Sequence, residues 1–378
     1  MSEMSYLEKL LDGVKVEWLP LGEITKYEQP TKYLVKAKDY HDTYTIPVLT
    51  AGKTFILGYT NETHGIYQAS KAPVIIFDDF TTANKWVDFD FKAKSSAMKM
   101  VTSCDDNKTL LKYVYYWLNT LPSEFAEGDH KRQWISNYSQ KKIPIPCPGN
   151  PEKSLAIQSE IVRILDKFTA LTAELTAELN MRKKQYNYYR DQLLNLEGRE
   201  NTREMRIGDI YDFQYGTGNT IPKSGGQYPV YGSNGIVGSH DKYNSEDSPV
   251  IGHIGAYAGI VNWGQGKHFV TYNGVICRHK SKEVLQKYAY YLLLLQDFGS
   301  KSNSASQPFV SYNILNAPIV LVPPLQEQAR IVAILDKFDT LTNSITEGLP
   351  REIELRQKQY EYYRDLLFSF PKPETASN

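Results

Sequence analysis

The stretch Ile161-Val-Arg-Ile-Leu-Asp-Lys-Phe-Thr-Ala-Leu-Thr172 decides the fold, because it occurs again as Ile331-Val-Ala-Ile-Leu-Asp-Lys-Phe-Asp-Thr-Leu-Thr342 with nine of the twelve positions identical. Farther along, Lys184-Gln-Tyr-Asn-Tyr-Tyr-Arg-Asp191 recurs as Lys358-Gln-Tyr-Glu-Tyr-Tyr-Arg-Asp365. Positions 161 and 331 differ by 170, and positions 184 and 358 by 174. A repeat of such a long period indicates that the chain is a duplication of one structural unit.

The repeated stretches predict two long helices that form an antiparallel coiled coil and hold two domains apart. In the first copy, apolar residues recur at heptad spacing over roughly five heptads, which is about 50 Å of helix. In the second copy, four extra residues interrupt the pattern beside Gly348 and Pro350, which predicts a kink or a break there. Packing of each helix on its own domain is the alternative, but a seam of this length exceeds one small domain. The predicted seam residues are Ile161, Leu165, Phe168, Leu175, Leu179, Tyr186, Ile331, Leu335, Phe338, Ile345, Ile353 and Tyr360.

The segments that precede the two helical regions share one order of short β-rich runs. The first segment contains β-rich runs at Thr45–Leu49 and Pro73–Phe77. Within them, Ile46–Val48 and Pro73–Ile75 correspond to Tyr228–Val230 and Pro249–Ile251 in the second segment. Between these anchors the segments differ almost everywhere, which favours one fold that presents two different binding surfaces. Drift after an old duplication is the alternative, although drift should have eroded the helices too.

The predicted fold class is therefore α+β, with two pseudo-symmetric mixed α/β domains separated by the two long helices. A short amphipathic helix is predicted at Tyr6–Leu11, ended by Asp12-Gly13, and another helix at Leu110–Leu121. The predicted borders are 1–150 for the first domain, 151–200 for a central helical spacer, 201–322 for the second domain, 323–370 for a C-terminal helical spacer and 371–378 for a disordered tail.

The composition predicts a soluble cytoplasmic protein. The 43 basic and 43 acidic residues give no net charge, which disfavours simple coating of phosphates, although local basic faces remain possible. The 28 tyrosines suit a recognition surface, but core and helix packing would explain most of them. Cys104, Cys147 and Cys277 have no metal-ligand spacing and are odd in number, which indicates a reducing cytosol. The sequence has no apolar run that approaches a membrane span, and so no membrane association is expected.

No catalytic motif is visible in the sequence. Gly52-Lys53-Thr54 resembles the end of a phosphate-binding loop, but Pro47 occupies the position of the required upstream glycine. The seven histidines show no metal-site spacing with acidic residues or cysteines. The paired carboxylates Asp78-Asp79 are interpreted as a solvated turn. The sequence therefore predicts that the chain is not an enzyme.

The pattern as a whole resembles the specificity subunits of type I restriction–modification systems, in which two variable target-recognition domains alternate with two conserved helical regions. The repeated stretches are its most specific motifs. Pro323-Pro-Leu-Gln-Glu-Gln328 and the tandem Thr172-Ala-Glu-Leu175 and Thr176-Ala-Glu-Leu179 are also typical. The resemblance covers essentially the whole chain.

The resemblance implies a non-catalytic subunit that reads double-stranded DNA. Each recognition domain would read one half of a bipartite, asymmetric site, and the helices would set the gap between the halves. The helices would also dock two methyltransferase subunits, which modify adenine and recruit two ATP-dependent restriction subunits that translocate DNA. This chain would bind no cofactor itself, since S-adenosylmethionine, ATP and Mg²⁺ would belong to the partner subunits.

Base readout requires hydrogen-bonding side chains on rigid loops, with lysine and arginine on the flanking phosphates. Each candidate taken alone is more simply ordinary turn chemistry, and the equivalence of the two domains is what favours readout. Arg182–Lys184 is interpreted as a solvated helix face, with docking to a methyltransferase subunit as the other possibility. The candidate DNA-binding residues are Thr50, Gly52, Lys53, Thr81, Asn84, Lys85, Lys131 and Arg132 in the first domain, and Ser233, Asn234, His253, Tyr257, Ser304 and Gln307 in the second.

Two other functions compete with this hypothesis. A coiled-coil scaffold whose outer domains bind protein would show no DNA preference, and the absence of net charge is in its favour. A self-contained modification enzyme would require cofactor binding by the isolated chain, against which the missing motifs argue.

Overall fold

A computed structural model describes residues 6–36, 39–52, 54–122, 132–302, 307–344 and 346–372. The chain forms two compact units. Unit 1 comprises Met1–Leu175 and Ile353–Asn378, and unit 2 comprises Thr176–Glu352. Each unit therefore combines one of the predicted domains with parts of both helical regions. The five-part division predicted from the sequence stays a prediction.

The elements follow the chain in the same order in each unit. The first domain contains α1 (Tyr6–Leu11), β1 (Val16–Pro20), α2 (Leu21–Ile24), β2 (Thr25–Glu28), β3 (Ile46–Leu49), β4 (Ile56–Thr60), β5 (Val74–Asp78), β6 (Asn84–Val87), β7 (Lys92–Ala93), β8 (Met98–Ser103), α3 (Leu111–Leu118), α4 (Gln133–Ser136) and β9 (Lys142–Pro146), with 3-10 turns at Pro30–Tyr33 and Tyr138–Gln140. The helix α5 (Pro151–Leu194) follows. The second domain contains β10 (Arg203–Arg206), α6 (Ile207–Ile210), β11 (Tyr211–Tyr215), β12 (Tyr228–Gly232), β13 (Gly235–His240), β14 (Ser245–Gly252), β15 (Val261–Val270), β16 (Gly274–His279), α7 (Gln286–Leu294), α8 (Tyr312–Asn316) and β17 (Ile319–Val322), followed by α9 (Leu325–Asn343) and α10 (Gly348–Leu367).

Strand pairing shows that the two domains have one topology, which confirms the predicted α+β duplication. In unit 2 one sheet has the order β11-β16-β14-β15-β12-β13. In unit 1 the same path is divided into sheets β2-β8-β5-β6 and β4-β3-β7. The division arises because β6 and β7 are separate strands where unit 2 has the continuous β15. The parallel pair Val48↔Lys92 in unit 1 matches Val230↔Phe269 in unit 2, with a register shift after the valine in both.

The long helices belong to the hydrophobic cores of the units. Ile161 and Leu165 of α5 are fully buried in unit 1, and their repeat partners Ile331 and Leu335 of α9 are fully buried in unit 2. Burying each such side chain contributes roughly 1.5–3 kcal/mol. The N-terminal parts of both helices are thus docked on the domain that precedes them.

Each unit also contains a ring contact between its two helical regions. Phe168 stacks on Tyr363 in unit 1 with ring centroids 5.3 Å apart, and Phe338 stacks on Tyr189 in unit 2 at 5.6 Å. Phe168 and Phe338 are repeat partners, as are Tyr189 and Tyr363, so the two contacts are copies of one another. Phe168 precedes Tyr189 along α5, whereas the partner of Phe168, Tyr363, comes later in the chain than the partner of Tyr189, Phe338. This is the order that antiparallel pairing requires. Among the other seam residues, Leu175, Leu179, Ile353 and Tyr360 are half-buried and Tyr186 is buried, while Ile345 lies outside the described residues.

The break predicted in the second helical region is confirmed. The helix α9 ends at Asn343 and α10 begins at Gly348. Gly348 has a φ of +77°, and a Cβ at this position would collide with the carbonyl oxygen of Thr340. Glycine is therefore required to turn the chain between the two helices.

The ends of the chain agree only partly with the sequence-based interpretation. The helix α1 has the predicted bounds. Pro371 was placed in a disordered tail, but its carbonyl oxygen accepts a hydrogen bond from Nε1 of Trp18 at 2.9 Å, which ties this residue to the first domain. Residues 373–378 lie outside the described part of the chain. Within the described residues, no helix is long and apolar enough to cross a membrane.

A buried glutamine joins each domain to its long helix. Gln158 of α5 is fully buried; its Oε1 accepts the backbone N–H of Leu110 at 2.9 Å and its Nε2 donates to the carbonyl of Lys108 at 3.0 Å. In unit 2, Gln328 makes the same bonds to the backbone of Leu285 and Glu283. Leu110 and Leu285 are the N-cap residues of α3 and α7 and receive no side-chain cap from their own helices. The glutamines supply that cap from outside.

A tyrosine–aspartate bond reinforces each joint. Tyr116 of α3 donates to Oδ1 of Asp166 at 2.5 Å, and Tyr291 of α7 donates to Oδ1 of Asp336 at 2.5 Å. Burial, followed by the hydrogen bond to the aspartate, raises the pKa of both tyrosines, which therefore remain donors at any physiological pH. The two joints fix the orientation of each domain on the helix that follows it.

The variant Gln158→Glu tests this joint. The new carboxylate retains the bond from Leu110 but faces the Lys108 carbonyl with an acceptor in place of a donor. We expect the free energy of unfolding to fall by about 1–3 kcal/mol, because the fully buried side chain at position 158 loses the bond that its amide donates. Denaturant titration measures this fall. Gln192→Glu, at an exposed position of the same helix, is the control, and equal stability of both variants would contradict the prediction.

Candidate nucleic-acid interface

In unit 2, four loop segments meet at one end of the sheet. The Oγ of Ser233, between β12 and β13, donates to the carbonyls of Ile254 and Asn273 at 2.9 and 3.0 Å. The backbone N–H of His253 donates to Asn273 at 2.8 Å, and the N–H of Val310 donates to His253 at 2.9 Å. These bonds join the hairpin tip, the loop after β14, the turn before β16 and the segment before α8 into one surface. The described candidates of unit 2, which are Ser233, Asn234, His253, Tyr257 and Gln307, lie on these segments or next to them.

The candidates of unit 2 divide into supporting and exposed residues. Ser233 uses its hydroxyl to hold two loops together. His253 is only 6% exposed, and its Nδ1 lies 3.3 Å from the carbonyl oxygen of Tyr272. Asn234, Tyr257 and Gln307 are exposed and free to contact a ligand. Ser304 lies outside the described residues.

An aromatic cluster supports this surface and was not identified from the sequence. The ring of Tyr215 lies 4.2 Å from His253 and 4.3 Å from Tyr312, with which it stacks at an interplanar angle of 15°. Tyr272 packs edge-on against His253 and remains 47% exposed. In the amino-acid sequence, the large number of tyrosines was the only signal that pointed to this cluster. Which of them meet depends on a strand, a turn and a helix that are distant in sequence.

Unit 1 builds the corresponding surface on the same backbone. Asp79 directly follows β5, which pairs with β8, and His253 directly follows β14, which pairs with β16. Asp79 therefore occupies in unit 1 the position that His253 has in unit 2. The N–H of Asp79 donates to the carbonyl of Ala97 at 3.0 Å, and the N–H of Gln133 donates to the carbonyl of Asp79 at 2.8 Å. These bonds are counterparts of the two at His253. The predicted equivalence of the two domains thus extends to the loops that form the candidate site.

The candidates of unit 1 are also partly structural. The hydroxyl of Thr50 donates to the carbonyl of Thr54 at 2.6 Å and accepts the N–H of Gly52, which closes the hairpin tip. The hydroxyl of Thr81 accepts the N–H of Ala83 at 3.4 Å. Asn84 is half-buried, and its Oδ1 has no hydrogen-bond partner within the described residues. Gly52, Lys85 and Arg132 are exposed, while Lys53 and Lys131 lie outside the described part of the chain.

Asp78 and Asp79 do not form the solvated turn expected from the sequence. Asp78 is buried and its Oδ1 accepts the N–H groups of Phe80 and Thr81 at 2.9 and 3.2 Å. Asp79 is fully buried and its Oδ2 lies 3.2 Å from Nζ of Lys99, which is 1% exposed. The sequence interpretation was wrong because β8 carries Lys99 on its buried side.

The buried pair extends to one of the candidate phosphate contacts. Oδ2 of Asp79 also lies 4.0 Å from the guanidinium of Arg132, whose side chain is 50% exposed. Oδ1 of Asp79 accepts the N–H of Trp134 at 2.9 Å. The carboxylate therefore positions the segment that carries Arg132 next to the loop after β5.

A model of the "Type I restriction modification DNA specificity domain" matches residues 14–182 and 199–355, which is most of the chain in two copies. The "Type I restriction enzyme EcoR124I/EcoR124II specificity subunit" of Escherichia coli is 66% identical over 411 aligned residues that cover 100% of both chains. The chain belongs to the family of type I restriction–modification specificity subunits. It is a DNA sequence-specificity subunit of the type I restriction–modification class, as the resemblance predicted.

More distant specificity subunits agree in length and in fold. The Escherichia coli EcoprrI specificity subunit is 36% identical, over 92% of this chain and 93% of that relative. A crystal structure of the specificity subunit from M. genitalium matches with a TM-score of 0.62 at 17% identity, covering 98% of this chain and 100% of that one. At this sequence identity, the match shows that the two chains share a fold.

The two surfaces of this specificity subunit differ in chemistry although they share a backbone. Beneath the surface of unit 1 lies the buried pair of Asp79 and Lys99, and Arg132 is the exposed member of this charged network. The surface of unit 2 has an aromatic centre around Tyr215 and His253. Groups of side chains that could hold a metal ion are absent from both surfaces within the described ranges. Such surfaces can recognise shape and hydrogen-bonding groups.

Proposed function

We propose that each unit reads one half of a bipartite, asymmetric DNA site. The observation that carries this proposal is the pair of surfaces at the ends of β5 and β14, which share their backbone hydrogen bonds but present different side chains. A common frame with different contact groups suits two different base sequences. Phosphate contacts in unit 1 would come from Lys85 and Arg132, together with Lys53 and Lys131.

We further propose that the helical regions set the gap and dock two methyltransferase subunits. The repeated motif leaves Tyr188 61% exposed and its repeat partner Tyr362 64% exposed. Exposed tyrosines at matching positions of a duplicated helix suit two copies of one protein partner, because tyrosine is enriched in protein interfaces. The methyltransferase subunits would recruit two restriction subunits, and the assembly would act on DNA in the cytoplasm. S-adenosylmethionine, ATP and Mg²⁺ would bind to those partners, and this chain would supply recognition without chemistry.

The experiment that tests the proposal is single-molecule sequencing of genomic DNA from the source cell, with and without this gene, scoring N6-methyladenine. A two-part motif with a fixed gap should lose its methylation in the deletion strain. If no motif changes, co-purification with the methyltransferase subunit distinguishes two explanations. Either the methyltransferase subunit is inactive, or this chain binds only protein. A chain that acts as a scaffold without DNA preference would leave every motif intact.

Changing Asn234 to alanine should affect one half-site. Asn234 is exposed at the tip of the β12–β13 hairpin, beside the loops that Ser233 holds together. Removing one amide contact to a base should weaken discrimination at one position by about 1–3 kcal/mol, which is roughly 5- to 150-fold. A map of methylated sites should show relaxed sequence in the half read by unit 2 and no change in the other. Relaxation of both halves together would contradict the assignment of one half-site to each unit.

A further inference from the structure

One hairpin of each recognition domain is repeated in both units with the same strand register. It consists of β3–β4 in unit 1 and β12–β13 in unit 2. Pro47 and Pro229 occupy the same register, as do Gly58 and Gly238 on the second strand. A Cβ at Gly58 would lie 2.8 Å from Cβ of Tyr40, and one at Gly238 would lie 2.7 Å from the side chain of Ile221. Because these two residues are glycines, the side chains of Tyr40 and Ile221 can pack against the part of the second strand that lies away from the hairpin tip.

The near half of each second strand exposes two consecutive apolar residues. Ile56 and Leu57 are both 40% exposed in unit 1. Ile236 and Val237 are 53% and 49% exposed in unit 2, and Ile56 and Ile236 stand at the same register. We call these four residues the hairpin pairs. In both hairpins the second residue of the pair, Leu57 or Val237, is the one that the register shift leaves without a partner on the facing strand.

These apolar residues lie on edge strands. β4 and β13 are the terminal strands of their sheets. An exposed apolar edge strand is a site of unwanted association, which natural proteins cover or charge. Neither hairpin pair carries a charge, although the chain places charged residues nearby. The pairs therefore fit a surface that is covered in the working assembly.

The surroundings of the two hairpins differ in charge. Ile56 borders a groove of about 550 Å³ that is also lined by Asp88, Phe89 and Asp90. The strand register places Gln265 and Lys267 of unit 2 at the positions of Asp88 and Asp90. The aspartates would repel DNA phosphates at the first hairpin. The shared occupant of the two hairpins must therefore be one that binds through apolar contact, as the centre of a protein interface does.

We propose that each hairpin pair docks one copy of the methyltransferase subunit. This inference rests on the proposed function and adds to it a contact on each recognition domain, separate from the helices. Two equal apolar pairs on a duplicated chain suit two copies of one protein, whereas the DNA-reading surfaces differ between the units. The contact would hold each methyltransferase subunit beside the half-site that its unit reads.

The test uses the full chain and the purified cognate methyltransferase subunit. Two variants remove one pair each: Ile56→Ser with Leu57→Ser, and Ile236→Ser with Val237→Ser. A third variant combines all four changes. Ile135→Ser and Ile319→Ser replace isoleucines that are 57% and 60% exposed outside the hairpins and serve as matched controls. Native mass spectrometry counts the bound copies, and titration calorimetry measures the affinity of each.

We expect each two-residue variant to bind one copy with unchanged affinity and the other about tenfold more weakly. The combined variant should bind both copies weakly, and the controls should match the unchanged chain. Thermal unfolding should be the same for all chains, because the changed side chains are exposed. If the variants bind two copies at full affinity, the inference is overturned while the proposed function stands. If the unchanged chain binds no methyltransferase subunit, the proposed function itself fails. If the variants keep full affinity for the methyltransferase but the assembled complex loses DNA binding, the hairpins contact DNA and the protein assignment is wrong.

Discussion

Deletion of Thr176–Leu179 should abolish methylation at the original site and create methylation at a site whose gap is one base pair shorter. The deleted residues lie within α5, which runs without interruption from Pro151 to Leu194. Removing four residues shortens a helix by roughly 6 Å and rotates its end by about 40° beyond a full turn. One base pair advances about 3.4 Å and rotates about 35°. The rotation matches one base pair, whereas the change in length exceeds it.

The deletion should leave both half-sites unchanged, because the two surfaces at the ends of β5 and β14 lie far from it in sequence and keep all their bonds. N6-methyladenine mapping of cells that express the variant measures both the gap and the half-sites. Ala177→Ser, an exposed change in the same four residues that preserves the helix length, is the control and should retain the original site. An unchanged gap in the deletion variant would refute the role of the helix as a ruler.

Replacing Asp79 with alanine should destabilise unit 1 by about 3–5 kcal/mol, because it leaves the buried ammonium of Lys99 without its partner. Lys99 and Asp79 are almost completely shielded from water, and their charged atoms are 3.2 Å apart. The same change removes the acceptor for the N–H of Trp134, which helps to place Arg132. Recognition of one half-site should therefore fall together with stability.

A double variant separates the charge effect from a general loss of packing. Asp79→Ala combined with Lys99→Met removes both charges and should recover most of the stability, since buried ion pairs can be replaced by apolar groups at little cost. Urea unfolding measures each variant, and Asp106→Ala, at an exposed position, is the control. If the double variant is less stable than Asp79→Ala alone, the buried charge is not the cause of the destabilisation.

The internal repeat allowed much of the architecture to be predicted. Short-range signals were reliable where local chemistry dominates, as at α1 and at the glycine that separates α9 from α10. Strand positions were close, since Val74–Asp78 was expected at Pro73–Phe77. Ser233 and His253 make hydrogen bonds that support the candidate loops, which the sequence did not reveal, and the role of these loops in base readout stays a prediction.

The sequence by itself determined the duplication, the heptad helices with their interruption and the family, because each is written in residues that are close together or repeated. Only the tertiary structure decided which side chains meet. Lys99 faces inward to Asp79, and Tyr215 stacks on His253 and Tyr312, because pairing between distant strands selects the face on which each residue lies. The equality of the exposed hairpins likewise emerged from strand register. A one-residue shift in register would have placed the strand residues Lys99 and Tyr215 on the opposite face.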